Sequence, residues 1–325
     1  ATYPASGSTT TINANYNIGT IDMSLRTSNT MTLATGTTNP SIYGNWINGT
    51  GITLSGTGRI SYFGRTTQTI TSSAKTFTQP FSVSSPSGSV VLQDAFTTSS
   101  TLATNLNYGT LDLQSYTLTT SLFASSNSNT RTIAFGTGQI SCTGTGTVWD
   151  TGTVTGLTTT GTQVVNVTSF GSTAITVNTG ALSEADSISY NFTGGTYALT
   201  FLNLTNQTVK GIDFTGFAGT LGVIASCTVY GNIKFSTGMT LTASNSQMGI
   251  SGSSGIQQIT TNAKTIDFPL GFGNGAIKQL QDALTMGSTR TAQLGSGTLD
   301  LNGFTLTVGT SFTTAAGTKN LTFNG

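Results

Sequence analysis

The sequence predicts an all-β protein, a parallel β-solenoid built from stacked short strands, and three observations predict it. One stretch occurs twice: TITSSAKTFTQPF at 69–81 returns as QITTNAKTIDFPL at 258–270, LQDAF at 92–96 as LQDAL at 280–284, and GTLDLQSYTLT at 109–119 as GTLDLNGFTLT at 297–307. Ile70 and Ile259 are 189 positions apart, and both Leu92 to Leu280 and Gly109 to Gly297 span 188. Repetition at a fixed long period marks an array in which each unit buries its apolar face on a neighbour. Second, strand signals bounded by Gly, Asn and Ser recur throughout, and no long stretch carries a helical apolar period. Third, there are 5 prolines in the whole chain and almost none of the long irregular connections that Greek-key sandwiches need.

Each element follows from its pattern. In Thr110-Leu111-Asp112-Leu113 the leucines point one way and Thr110 and Asp112 the other, and Thr132-Ile133-Ala134-Phe135 repeats the alternation. Leu111, Leu113 and Leu118, with their repeat partners Leu299, Leu301 and Leu306, are the expected core. Thr and Val suit the pleated surface, and runs such as Ser126-Asn127-Ser128-Asn129 suit tight corners. A coil of roughly 20 residues gives about 16 coils.

The repeat divides the chain into an N-terminal β region at 1–55, a first long unit at 56–244 and a second, truncated unit at 245–325 continuing the same solenoid. The second copy stops at Leu321-Thr322-Phe323, the counterpart of Ile133 to Phe135. The sequence opens at Ala1, which suggests a leader or upstream region not included in it, and further coils beyond Gly325 are one way to cover the last coil. The other is a second copy of the chain, head to tail or bundled, because the C-terminal coil has a single charge, Lys319, and no proline to block its strand edges.

Composition narrows the function classes. Charged residues make up 6% of the chain, against about 25% in an average domain, so Ser, Thr, Asn and Gly must form the wet surface. A net charge of +1, from 11 basic and 10 acidic residues, offers no electrostatic footprint for nucleic acid. No apolar run is long enough to insert in a membrane as a helix. Cys142 and Cys227 lack metal-ligand spacing, which leaves two buried thiols or a disulfide between neighbouring coils.

GTLDLNGFTLTVG, LQDAL, AKTIDFPL and SNSNTRTIAFGTGQI together resemble the Ser/Thr/Gly-rich solenoid repeats of tailed-phage fibre-like structural proteins, and more loosely the passenger regions of bacterial surface adhesins. The resemblance is carried by 56–147 and 245–325. It implies a virion or cell-surface appendage, and an extracellular location.

Candidate chemistry is sparse. With 0 histidines there is no Ser-His-Asp or Cys-His machinery. A polysaccharide-cleaving β-helix would need two carboxylates. Of the ten in the chain, Asp94 matches Asp282, and Asp112 matches Asp300 and more weakly Asp22, so half belong to the scaffold's own repeat. Asp150 and Asp213 are two of those outside it. Glu184 and Asp186, the one tight acidic pair, are weak Ca²⁺ candidates, with a solvated loop as the plainer reading. Trp46, near Tyr43, and Trp149, beside Asp150, are candidates for glycan contact or for corner packing. The expectation is a non-catalytic structural subunit without cofactor or metal, self-associating and displaying an adhesive surface that engages a glycan. A carbohydrate-active enzyme and a receptor-binding adhesin are the alternatives.

Overall fold

The computed structural model describes residues 5–28, 30–99 and 101–324. Among the described residues there is no helix; the chain is 47% strand, and its parallel sheets stack as a β-solenoid of about 14 turns. There are fewer turns than a 20-residue coil gives because the coils are longer. Ser89 pairs with Thr110 and Thr110 with Thr132, steps of 21 and 22 residues, and Thr132 pairs with Thr158, a step of 26.

The chain divides into two compact units, Ala1–Gly144 with Val148–Val164, and Thr145–Thr147 with Val165–Gly325. This division falls inside the 56–244 segment that the repeat delimits. In the first unit one ladder runs through Asn17–Ile18, Ser41–Ile42, Ile60–Tyr62, Phe81–Leu92, Thr104–Asp112 and Phe123–Ala124. A second contains Thr76–Phe77, Phe96–Thr98, Thr117–Thr120 and Gln139–Cys142. Leu111, Leu113 and Leu118 are fully buried between them. Rings also pack against one another in the core at tilted or edge-on angles: Phe77 with Phe96 at 4.7 Å, Phe81 with Phe96 at 5.2 Å and Tyr62 with Phe81 at 5.4 Å.

The second unit repeats the principle with Gln207–Val209, Cys227–Val229, Met248–Ile250, Leu270–Phe272, Thr291–Leu294 and Ser311–Thr314 in one ladder. Leu299 and Leu301 are buried there as expected. Leu306 is only half-buried, because its strand Leu306–Thr307 pairs with Leu284–Met286 alone and carries no coil on its other side. Cys142 and Cys227 are buried thiols rather than a disulfide, and burial pushes both up to about 12.

The duplicated motifs are corner devices. Ser73 and Ala74, and in the second copy Asn262 and Ala263, occupy the left-handed backbone region at φ between 50 and 60°. The amides of Ser72 and Ser73 donate to the Asp94 carboxylate of the next coil at 2.7 and 2.6 Å, and those of Thr261 and Asn262 to Asp282 at 2.8 and 2.6 Å. Successive amides in such a turn form an anion-binding concavity, which the aspartate of LQDA fills. Gln68 and Gln257 are a second such device: each is buried, accepts one amide (Gly64 or Gly252), and donates its own to carbonyls of the preceding coil.

Candidate ligand groove

The strand ends of the first unit's longer ladder build an open face. Tyr43 follows Ser41–Ile42, Phe63 follows Ile60–Tyr62, Ser84 and Pro86 lie within Phe81–Leu92, and Asn107 and Tyr108 lie within Thr104–Asp112. Asn127 and Asn129 follow Phe123–Ala124. Neighbouring strands lie about 4.8 Å apart, so residues from five successive coils span roughly 19 Å. They line a cavity of about 580 Å³, together with Arg65. A second cavity, also about 580 Å³, shares Pro86, Tyr108 and Asn129 as a common wall and extends over Ser87, Gly88, Thr110 and Thr130.

The aromatic part is exposed. Tyr43 is 47% exposed, Phe63 38% and Tyr108 40%, and the Tyr43 and Phe63 rings stack with centroids 6.2 Å apart and planes 28° apart. The amide part is held in place from beneath. Asn107 Nδ2 donates to the hydroxyls of Ser82 and Ser84 at 3.2 and 3.0 Å, and Asn129 Nδ2 donates to the Asn107 carbonyl at 3.0 Å. The loop bearing Asn127 and Asn129 is pinned by Arg131, a buried guanidinium that donates to the carbonyls of Ser125 (3.1 Å), Asn129 (2.7 Å), Thr155 (2.8 Å) and Thr153. Burial lowers Arg131's pKa, and these carbonyls supply the partners that a charge out of water requires. Arg65 is exposed and makes no ion pair; the one ion pair among the described residues joins Arg290 to Asp267 at 2.7 Å. No carboxylate lines either cavity.

The sequence-predicted residues lie elsewhere. Trp46 and Trp149 are fully buried: Trp46 packs on Phe77 at 5.5 Å and donates to Asn48 Oδ1 at 2.8 Å, and Trp149 stacks on Phe123 at 4.6 Å and donates to Thr151 Oγ1 at 3.0 Å. Neither ring presents a face on which a sugar can stack, so the glycan-contact assignment of these tryptophans is corrected. A large ring at a coil corner gains more by filling the core than by facing water. Asp150 is half-buried and accepts the Gly152 amide at 3.1 Å. Glu184 accepts the Ser253 amide at 3.0 Å, while Asp186 accepts the Ser183 hydroxyl at 2.7 Å. Among the described residues no three His, Cys, Asp or Glu side chains cluster as metal ligands.

All ten carboxylates have such local partners. Asp22, Asp112, Asp213 and Asp300 each accept the amide two residues on, from Ser24, Gln114, Thr215 and Asn302, as Asp150 does. Burial alone would raise the Asp300 carboxyl, but hydrogen bonds from Gln279, Asn302, Thr322 and Asn324 outweigh it and hold the pKa below the usual carboxylate value.

The sequence does carry a signal for the groove, in the comparison of its two copies. Register makes Tyr62, Val83 and Leu106 equivalent to Ile250, Phe272 and Leu294. The residues that follow are Phe63 against Ser251, Ser84 against Gly273, and Asn107-Tyr108 against Gly295-Ser296. The scaffold is kept and the groove-forming side chains occur in one copy.

Fold and groove together define a class: a parallel β-solenoid with an exposed groove lined by aromatic and amide side chains and by no carboxylate. Comparison of the chain with protein-family models, with curated proteins and with solved structures finds no match.

Proposed function

We propose that the protein is a non-catalytic structural subunit of an extracellular or virion appendage, in which the solenoid serves as the scaffold and the groove of the first unit as an adhesive surface for glycan. The observation that carries this reading is the groove itself. Its flat aromatic rings suit the C–H faces of pyranose rings, its fixed amides suit hydroxyl groups, and it lacks the two carboxylates that glycoside hydrolysis requires. Engagement of all ten carboxylates by the scaffold supports binding rather than cleavage.

The test is to pass the purified chain over a panel of immobilised bacterial surface polysaccharides, measuring retention and release of new reducing ends in the same samples. Retention without new ends is the expected result. New ends that appear in proportion to the chain would replace the adhesive reading with an enzymatic one.

A further inference from the structure

We infer that the groove selects an acidic oligosaccharide, with Arg65 as the specificity-determining residue. This rests on the reading of the groove as a glycan site. Arg65 is the one charged side chain among those lining the aromatic cavity; it is exposed, and no carboxylate among the described residues pairs with it. In a chain with 6% charged residues, an isolated cation beside three exposed aromatic rings is an unusual concentration of binding chemistry.

The equivalent position in the second unit strengthens the inference. At both corners a glycine amide donates to a buried glutamine, Gly64 to Gln68 and Gly252 to Gln257, so Gly64 corresponds to Gly252 and Arg65 to Ser253. The Ser253 amide is occupied by the carboxylate of Glu184. One unit thus supplies its own carboxylate at this corner, whereas the other presents a guanidinium with no ion-pair partner among the described residues. A guanidinium offers a planar fork of donors that matches carboxylate or sulfate oxygens. The fixed amides of Asn107 and Asn129 are placed to read hydroxyl groups, and the Tyr43–Phe63 stack and Tyr108 to hold ring faces. The two adjoining cavities, sharing Pro86, Tyr108 and Asn129, give a run suited to several sugar units rather than one.

The experiment uses tetrasaccharides in matched sets of gluco, galacto and manno configuration. Each set contains a uronate, its carboxyl-reduced neutral counterpart, and the neutral counterpart carrying sulfate. Binding to the full chain is measured by calorimetry at low and high salt. In at least one set an acidic member is expected to bind roughly fivefold tighter than the neutral one, the size of a partly exposed ion pair, with the advantage shrinking in salt. Which acidic member wins identifies the anion as carboxylate or sulfate. Arg65→Gln is expected to erase the preference, weakening the acidic members by more than the neutral ones, and an unfolding midpoint equal to the parent's shows that the variant folds. Equal binding of neutral and acidic members, or a preference that survives Arg65→Gln, overturns the inference and leaves glycan binding standing. Absence of binding in every set, with Tyr108→Ala indistinguishable from the parent chain, overturns the glycan reading and the inference with it.

Discussion

In the first unit Asp94 fills the amide concavity of the coil before it, Gln68 ties its corner to two carbonyls, and Leu111 is sealed in the core; in the second unit Asp282, Gln257 and Leu299 do the same. The faces differ. Phe63, Asn107 and Tyr108 stand where Ser251, Gly295 and Ser296 stand, and Val90 where Lys278 stands, both Val90 and Lys278 fully buried. The difference separates two kinds of constraint. Residues that close a corner or fill the stack are set by the coil above and below, so both copies keep most of them, Val90 against Lys278 being a buried exception. Residues past the strand ends answer only to solvent or to a ligand, and there the copies part.

If the shared residues carry the scaffold, breaking them should hurt both units alike. The largest effect is expected for Leu111→Ala and Leu299→Ala, each about 2–5 kcal/mol in urea unfolding, through lost burial and an unfilled cavity. Leu306→Ala, half-buried in a coil with one neighbour, should cost clearly less. Near-zero cost at Leu299 with a large cost at Leu111 would show that the two copies are not the same scaffold. Next in size is removal of the corner carboxylate. Asp94→Ala and Asp282→Ala each strand two amides and should cost about 2–3 kcal/mol, the range of hydrogen bonds to a charged group. The check is whether the two values agree to within their error.

Much of this fold is legible in the sequence. The alternation in GTLDL places Leu111 and Leu299 inside, and the long-period repeat implies stacking. What the sequence conceals is the use of each polar residue. TSSAK and LQDA read as two motifs, yet they are two halves of one corner in adjacent coils, which only the coil step of about 22 residues reveals. The tryptophans illustrate the converse. Aromatic size, with Tyr43 near Trp46 and Asp150 beside Trp149, suggests a sugar platform at the two tryptophans, but period-2 alternation turns both inward, while Tyr43, Phe63 and Tyr108 sit where a strand ends or bends and alternation no longer decides. Glu184 and Asp186 are two positions apart in sequence, yet one reaches Ser253 and the other returns to Ser183.

A smaller effect distinguishes the copies by pH. Lys278 donates to the carbonyls of Asn274 and Ala276 at 3.1 and 2.8 Å, and burial lowers its pKa from 10.5 to about 8, against an opposing pull from Glu184. Between pH 8 and 10.5 the unfolded chain therefore binds more protons than the folded one, and stability should rise with pH across that window. Below pH 8 the penalty for the buried ammonium is fully present. Lys278→Val, which installs the first unit's residue, should stabilise the protein at pH 7 and flatten the profile between 8 and 10.5. An unchanged slope in the variant would mean that another group carries the titration.

The smallest stability effect, and the sharpest functional one, is expected where the faces differ. Phe63→Ser and Tyr108→Ser give the first unit the second unit's residues at two positions that are 38% and 40% exposed. Neither side chain fills the core, so each change should move unfolding by less than about 1 kcal/mol, as for surface substitutions away from structural devices. The same pair removes the lone partner of the Tyr43 ring and the wall shared by the two cavities, so retention on glycan should fall at least tenfold. Measuring unfolding and retention on one preparation makes the comparison decisive. Loss of retention at full stability assigns the divergent face to ligand binding, whereas loss of stability in step with retention would assign Phe63 and Tyr108 to the scaffold and remove the contrast between the copies.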